Sequence, residues 1–211
     1  MSKKDCGNHG EHKRHKLFRQ LFAAFLLLVI VALLVVLIVW LVLRPTKPKF
    51  YLQDTRVVQF NLTTGVGLLT SVFQITLSSR NPNGRIGVYY DRNAAYVLYK
   101  GQQITAATAL PPGYLGANDV IVWSPYLFGA AVPLAPYLAE ALYQDKNAGY
   151  ILLYLHVDGR LRWKVGTWIS DHYHLQVNCP VFLTVDSSNH YGDGSVPYFH
   201  FRQMTSCTVD V

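Results

Sequence analysis

An uninterrupted apolar segment stands near the start of the chain. From Leu21 to Leu43 there is no charged residue, and a helix of this length rises about 34 Å, against about 30 Å for the hydrocarbon core of a bilayer. The segment is apolar on every side, whereas a helix at the surface of a soluble core has a polar stripe. The pattern predicts one transmembrane helix, Leu21–Leu43.

A cleaved signal peptide is the main alternative for this segment. Its apolar part is typically about 7 to 15 residues long and ends in small residues at the cleavage site. The segment here is longer and ends in the bulky run Trp40-Leu41-Val42-Leu43. We therefore interpret it as an uncleaved signal anchor.

Apolar and polar residues alternate in several stretches after this segment. The stretches are 73–77, 151–157, 161–165, 175–185, 199–201 and 207–211. Because the side chains of a strand point alternately to its two faces, each stretch predicts a strand with one apolar face. Such strands need a second sheet to cover them, so the predicted architecture is an antiparallel β-sandwich.

Two local signals refine this picture. Asp158-Gly159 lies between two alternating stretches, which predicts a hairpin with its turn at this dipeptide. The stretch from Val120 to Val132 is apolar but short, and Pro125 and Gly129 interrupt it. It predicts a strand and a turn, because it is too short for a second span.

One helix is predicted between Pro133 and Gly149, because the apolar residues of this interval fall on one side of a helical wheel. They are Leu134, Leu138, Ala141 and Leu142. The fold class is therefore mainly β, a sandwich with one accessory helix, preceded by a single transmembrane helix.

The pattern divides the chain into four parts. Residues 1–20 form a basic tail, 21–43 the transmembrane helix, 44–49 a linker, and 50–211 one β-rich domain. Pro45 and Pro48 cannot continue the helix, which is why the linker begins there.

The formal net charge of +7 is concentrated in the tail. Basic residues beside a span resist translocation, so the tail is predicted to be cytosolic and the domain extracellular. The tail is expected to attract anionic lipid by about 1 kcal/mol per basic residue. The small excess elsewhere argues against a nucleic-acid partner.

Two features agree with an exterior location of the domain, where N-glycans and disulfides form. Asn61-Leu62-Thr63 is a glycosylation sequon, so Asn61 is the predicted acceptor. Cys179 and Cys207 share the inward parity of their strands, and a bridge between them would stabilise the fold by about 3 to 4 kcal/mol. Two buried free thiols are the alternative.

A metal-dependent enzyme is one function class to consider. His172 and His174 would lie on one face of a strand, where His190 or His200 could join them as metal ligands. The chain has no Gly-x-Ser-x-Gly elbow, phosphate-binding glycine loop or His-Glu-x-x-His motif. We therefore predict no catalytic residue, metal or cofactor.

Four segments together resemble a known plant family. They are Asn81–Asp91 (NPNGRIGVYYD), Arg162–Gly166 (RWKVG), Tyr173–Pro180 (YHLQVNCP) and Ser206–Val211 (SCTVDV). They look like the harpin-induced-like and non-race-specific disease-resistance-like proteins of land plants, which carry the late-embryogenesis-abundant group 2 domain, also called the water-stress and hypersensitive-response domain.

This resemblance implies a fibronectin type III-like sandwich outside the plasma membrane of a plant cell, a role in responses to pathogens, senescence or water stress, and no catalytic activity. The segment from Leu110 to Val120 departs from the family pattern, since Pro111-Pro112-Gly113-Tyr114 replaces an aromatic-rich run. If that segment contacts a partner, the partner differs from that of the relatives.

The first of these motifs has a physical interpretation as a turn. Pro82 fixes its own φ and makes Asn81 extended, while Asn83 and Gly84 tolerate positive φ. Tyr89 and Tyr90 then point to opposite faces of a strand, one into the core and one to the surface, where a wall polymer or protein could bind it.

Two non-catalytic functions follow. In the first, the outer domain is an interaction module for the cell wall or an extracellular protein in defence signalling. The tail has no effector domain, so output would need a co-receptor or a homo-oligomer. In the second, the domain protects membranes under water or cold stress. The composition, with 51% hydrophobic residues, favours the first, because disordered protectants are highly charged.

Overall fold

The computed structural model describes residues 9–42, 45–63, 67–186 and 198–211. The start of the tail, Leu43 at the end of the predicted span, and His190 lie outside the described residues. The chain divides into two compact units, Met1–Arg44 and Pro45–Val211.

The first unit contains the helix α1 (His9–Val42). Within it, Phe18–Leu37 is long and apolar enough to cross a membrane, and none of this stretch is buried. An apolar helix is thus confirmed near the N-terminus. It begins at His9 and so includes residues that the sequence pattern assigned to the basic tail.

The second unit is built from strands and one further helix, α2 (Pro136–Asn147). The strands are β1 (Lys49–Thr63), β2 (Leu68–Arg80), β3 (Ile86–Tyr90), β4 (Asn93–Tyr99), β5 (Gln102–Gln103), β6 (Thr108–Leu110), β7 (Gly113–Leu115), β8 (Val120–Trp123), β9 (Tyr126–Pro133), β10 (Tyr150–Val165), β11 (Trp168–Ile169), β12 (Tyr173–Asp186), β13 (Tyr198–Phe201), β14 (Thr205–Ser206) and β15 (Thr208–Asp210).

These strands form a small and a large antiparallel sheet. The small sheet has the order β14-β1-β2-β8, with β9 also paired to β2. The large sheet has the order β13-β12-β10-β3-β7, with β4 and β11 on β10, β15 on β12, and β5 and β6 on β4. The apolar stretch 120–132 supplies β8 and most of β9, so it is strand and turn as predicted.

The core lies between the two sheets and contains the alternating apolar residues of both. Phe50 and Trp123 of the small sheet stack with ring centroids 6.3 Å apart, and Tyr90 of the large sheet meets Trp123 edge-on at 5.3 Å. The Tyr90 hydroxyl also hydrogen-bonds Ser79 Oγ of the small sheet at 2.7 Å. The predicted β-sandwich is therefore confirmed.

Helix α2 is the predicted accessory helix. Its buried residues, Leu138 and Leu142, belong to the set that defined its apolar side. Asp145 of the helix accepts a hydrogen bond of 2.7 Å from the hydroxyl of Tyr99 in β4. Burial raises the pKa of Tyr99 to about 12, so this donor keeps its proton at neutral pH.

The hairpin predicted at Asp158-Gly159 is wrong, because β10 runs through this dipeptide without turning. β10 pairs with β4 up to Asp158 and with β3 from Leu161 onward. Where its neighbour changes, Asn93 Oδ1 accepts a hydrogen bond of 3.0 Å from the amide of Arg160. A Cβ on Gly159 would overlap Asn93, so the glycine allows a close backbone approach instead of a turn.

Candidate interaction surface

The Asn81-Pro82-Asn83-Gly84 motif is a buried hydrogen-bonded junction. Asn81 is 0% and Asn83 8% exposed. Asn81 Nδ2 donates to the carbonyls of Ile86 at 2.6 Å and Gly116 at 2.8 Å, and Asn81 Oδ1 accepts from the amide of Asn83 at 3.1 Å. All these partners are groups of the chain itself, so the motif is structural, as its sequence favours.

The second asparagine of the motif also holds the linker. Asn83 Oδ1 accepts a hydrogen bond from the amide of Thr46, and Asn83 Nδ2 donates to the Thr46 carbonyl, both at 2.8 Å. Neither Asn83 nor Gly84 has positive φ. The turn therefore uses the side-chain hydrogen bonds of Asn81 and Asn83 and not the positive φ that Asn83 and Gly84 could adopt.

Tyr89 and Tyr90 occupy opposite faces of β3, as predicted. Tyr90 is 1% exposed within the core, and burial raises the pKa of its hydroxyl far above the usual range. Tyr89 lies on the outer face of the large sheet, opposite Tyr114 of β7 on one side and Arg162 of β10 on the other. Its ring is therefore the start of a surface cluster.

We call Tyr89, Tyr114, Arg162 and Lys164 the aromatic–basic cluster. The two tyrosine rings are 4.6 Å apart between centroids. Lys164 Nζ lies 5.1 Å from the centroid of Tyr114, and the guanidinium of Arg162 lies 5.6 Å from that of Tyr89. Cations at these distances are attracted to the ring faces.

A glycine makes room for this arrangement. Gly87 pairs with Lys164 across β3 and β10, and a Cβ at position 87 would overlap the ring of Tyr114. The Tyr114 ring therefore lies close to the backbone of Gly87, and Tyr114 is 48% exposed. Any side chain at this position would displace it.

One acidic side chain fixes the arginine of the cluster. Asp91 accepts hydrogen bonds from Arg162 Nε at 2.8 Å and Nη2 at 2.7 Å, a bidentate geometry that is stronger than a single contact. This pairing with Arg162 lowers the pKa of Asp91, so the carboxylate is ionised at neutral pH. Lys164 forms no ion pair with a carboxylate in the part of the chain that the structure describes.

The cluster can therefore hold an acidic group beside a flat apolar surface. Arg162 is paired with Asp91, whereas Lys164 has no carboxylate partner among the described residues and lies next to the exposed ring of Tyr114. The sequence pattern predicts that one of Tyr89 and Tyr90 is at the surface, but it does not associate Tyr114 or Lys164 with that tyrosine. The available signal was that Tyr114 lies in the one segment that departs from the family pattern.

Cys179 and Cys207, the two cysteines predicted to point inward, lie next to each other. Cys179 of β12 and Cys207 lie with Cα atoms 4.3 Å apart, and the structure joins their sulfurs as a disulfide. Cys207 follows β14 and donates its backbone amide to Phe50 in β1 at 3.0 Å. The bridge thus lies where the end of the chain meets both sheets.

The sequon asparagine is accessible. Asn61 lies near the end of β1, where it pairs with Thr70 of β2, and its side chain is exposed. An exposed position is what a glycan acceptor requires. Glycosylation of Asn61 stays a prediction.

The two candidate metal-ligating histidines face different carboxylates. His172 Nε2 lies 3.5 Å from Asp91 Oδ2, while His174 Nε2 lies 3.1 Å from Asp158 Oδ1. Among the described residues, no group of three or more His, Cys, Asp or Glu side chains is arranged to hold a metal ion. The two histidines therefore lie beside separate carboxylates on the surface and do not converge on one site.

Known proteins similar to this chain are found along its whole length. The family model described as "Late embryogenesis abundant protein" matches residues 76–179. The chain is 44% identical to NDR1/HIN1-like protein 12 of Arabidopsis thaliana, with 100% of each chain covered. It is 47% identical to NDR1/HIN1-like protein 1 of the same plant, with 99% of this chain and 100% of the relative covered.

A solution structure of another Arabidopsis thaliana protein is more distantly similar. It shares 12% identity at a TM-score of 0.39, over 70% of this chain and 88% of that one. At this TM-score the likeness adds nothing to the relationships found from sequence.

Proposed function

The chain belongs to the NDR1/HIN1-like family of late embryogenesis abundant proteins, and from this premise we propose that it is a single-pass plasma-membrane protein of plant defence and stress responses. Its outer domain acts as an interaction module for the cell wall or for an extracellular protein. The family is generally non-enzymatic, and we propose the same for this member.

Anchoring rests on α1. The stretch Phe18–Leu37 is exposed along its length and apolar apart from Arg19 and Gln20, and a helix that is apolar on every side is typical of a segment that contacts lipid. Basic residues before the uncharged stretch that begins at Leu21 favour a cytosolic N-terminus. The second unit would then face the exterior, where Asn61 is accessible to a glycan and the Cys179–Cys207 disulfide is stable.

The aromatic–basic cluster is the observation that supports an interaction module. It combines two tyrosine rings 4.6 Å apart with Lys164, which has no carboxylate partner among the described residues, on the outer face of the large sheet. Aromatic side chains and arginine are enriched at the sites where proteins bind partners, and the lysine of the cluster adds a positive charge that attracts an acidic group. The partner we propose therefore presents carboxylates beside flat apolar groups, as acidic wall polymers and acidic protein segments both do.

A comparison of two variants tests this proposal. The full chain, reconstituted in nanodiscs, is incubated with isolated wall fractions and with extracellular plant proteins. The cluster variant carries Tyr114→Ala and Lys164→Ala. The control variant carries Tyr143→Ala and Lys146→Ala in α2, where Tyr143 is similarly exposed at 51%.

We expect the native chain and the α2 control to retain the same wall fraction or the same protein, and the cluster variant to retain several-fold less. Equal retention by the cluster variant, or no specific retention by the native chain, would contradict the proposal. Because the two variants make the same changes of residue type, a difference between them reports the location of the surface.

A further inference from the structure

The linker joins the outer domain at the end that carries the β10–β11 hairpin. Thr46 is hydrogen-bonded to Asn83, and β3 begins shortly afterwards at Ile86, which pairs with Val165 at the end of β10. Val165 in turn pairs with Trp168 of β11. The tip of the β10–β11 hairpin thus lies at the same end of the domain as the linker.

This tip presents apolar side chains to the outside. Trp168 is 62% and Ile169 41% exposed. Gly166 has a φ of 59°, the left-handed conformation that glycine adopts easily, and it forms the turn just before Trp168. A tryptophan so exposed is unusual in a chain whose other tryptophans in the outer domain, Trp123 and Trp163, are each 5% exposed.

Hydrogen bonds at the base hold the tip in this position. The buried Ser170 donates its backbone amide to the carbonyl of Trp163 at 2.8 Å. Its Oγ accepts from the Trp163 amide at 2.9 Å and donates to the carbonyl of Asp171 at 2.7 Å. These hydrogen bonds fix the base of the hairpin to the end of β10, and the indole of Trp168 is directed away from the core.

The linker is short, and its length limits the distance between this end of the domain and the bilayer. Only Arg44 and Pro45 separate the predicted end of the span, Leu43, from Thr46, and this distance is at most about 11 Å in extended chain. The end of the domain that carries Thr46 must then stay close to the bilayer surface. An indole is the side chain that most prefers the interfacial zone of a bilayer.

We infer that the β10–β11 hairpin is a second membrane contact, in which Trp168 and Ile169 enter the interfacial region of the outer leaflet and fix the orientation of the domain. This inference rests on the proposed anchoring by α1. Its consequence is that the domain does not rotate freely on its linker, so the aromatic–basic cluster keeps a constant direction relative to the membrane.

Tryptophan quenching in the full chain tests this inference. The chain has four tryptophans, of which Trp40 lies in the predicted span. Native chain, Trp40→Phe, and Trp40→Phe with Trp168→Phe are each reconstituted in phosphatidylcholine vesicles, with and without bromine near the top of the acyl chains. Bromine quenches only tryptophans that reach the bilayer.

We expect Trp40→Phe to remain quenched by brominated lipid and the double variant to lose most of that quenching, because its remaining tryptophans are buried in the domain. Equal quenching of these two variants, including none, would overturn the hairpin contact. If the native chain and Trp40→Phe are equally quenched, Trp40 is not in the bilayer, which contradicts the anchoring itself. The two failures are therefore distinguishable.

Discussion

At the scale of single residues, Asn81 connects three parts of the outer domain. Its buried carboxamide bonds the end of β2 to the start of β3 and to the loop after β7. Removing it would leave buried carbonyls without partners, which costs about 1 to 3 kcal/mol for each group.

We therefore expect Asn81→Ala to lower the free energy of unfolding by about 3 kcal/mol, measured by urea unfolding of the full chain in detergent. Asn178→Ala is the matched control, because Asn178 is exposed on the outer face of β12. Its stability should stay close to that of the native chain. Equal losses in the two variants would show that the junction is not the cause.

A substitution at Gly159 tests whether the close approach of Asn93 explains why β10 does not turn at Asp158-Gly159. A Cβ at this position overlaps Asn93, whereas a Cβ on Gly84 has its nearest neighbour at an ordinary 3.7 Å. Gly159→Ala should destabilise the domain by about 2 kcal/mol, as overpacking does, and Gly84→Ala should change little. Thermal unfolding of both variants measures this, and a neutral Gly159→Ala would mean that the close approach is unimportant.

The pairing of Asp91 with Arg162 predicts that the domain loses stability in acid. Arg162 lowers the pKa of Asp91 in the folded chain, so the stabilisation is complete above the pKa of the unfolded chain and is lost as the pH falls through the folded pKa. The stability difference between native chain and Asp91→Asn should thus be largest near neutral pH and shrink below about pH 4.

Urea unfolding across this pH range measures the Asp91 difference. In an Arg162→Gln background the main cause of the lowered pKa is gone, so the same Asp91→Asn comparison should show little dependence on pH. A difference that persists unchanged at low pH would contradict the ion pair as its origin.

At the scale of secondary structure, the sequence predicts elements better than it predicts their neighbours. Alternation identifies β2 and β12 because one face of each is buried, and the helical wheel identifies α2 through Leu138 and Leu142. Asp-Gly misleads in β10, because the reason for Gly159 is a contact with the distant Asn93. Only the three-dimensional structure reveals such a reason.

The same limit applies to the candidate surface. The alternation of side chains along a strand places either Tyr89 or Tyr90 on the outer face of the sheet, and in the structure it is Tyr89. Tyr114 and Lys164 lie near Tyr89 because β3 pairs with both β7 and β10. The local sequence pattern does not encode this pairing.

The link between β12 and the end of the chain leads to a prediction about the cysteines. Peptide mapping without reduction should recover the peptides of Cys179 and Cys207 joined. Reduction or Cys207→Ser should lower the free energy of unfolding by about 3 kcal/mol. Cys6→Ser is the control and should leave stability unchanged. Free thiols at both positions of the native chain would contradict the bridge.

At the scale of the whole molecule, an apolar helix is followed by a folded sandwich with a well-packed core. Stress protectants that act through disorder have a different composition, and the rigid outer face of this domain is better suited to recognition. A recognition domain can serve the exterior only if α1 spans the membrane with its basic end inside. The proposed function depends on this orientation more than on any single residue of the cluster.

Epitope accessibility in intact plant protoplasts measures this orientation most directly. The full chain carries one epitope at its N-terminus and another at its C-terminus, and antibodies are added before or after permeabilisation. We expect the C-terminal epitope to be labelled on intact cells and the N-terminal epitope to be labelled only after permeabilisation. The reverse pattern, or labelling of neither epitope on intact cells, would contradict it.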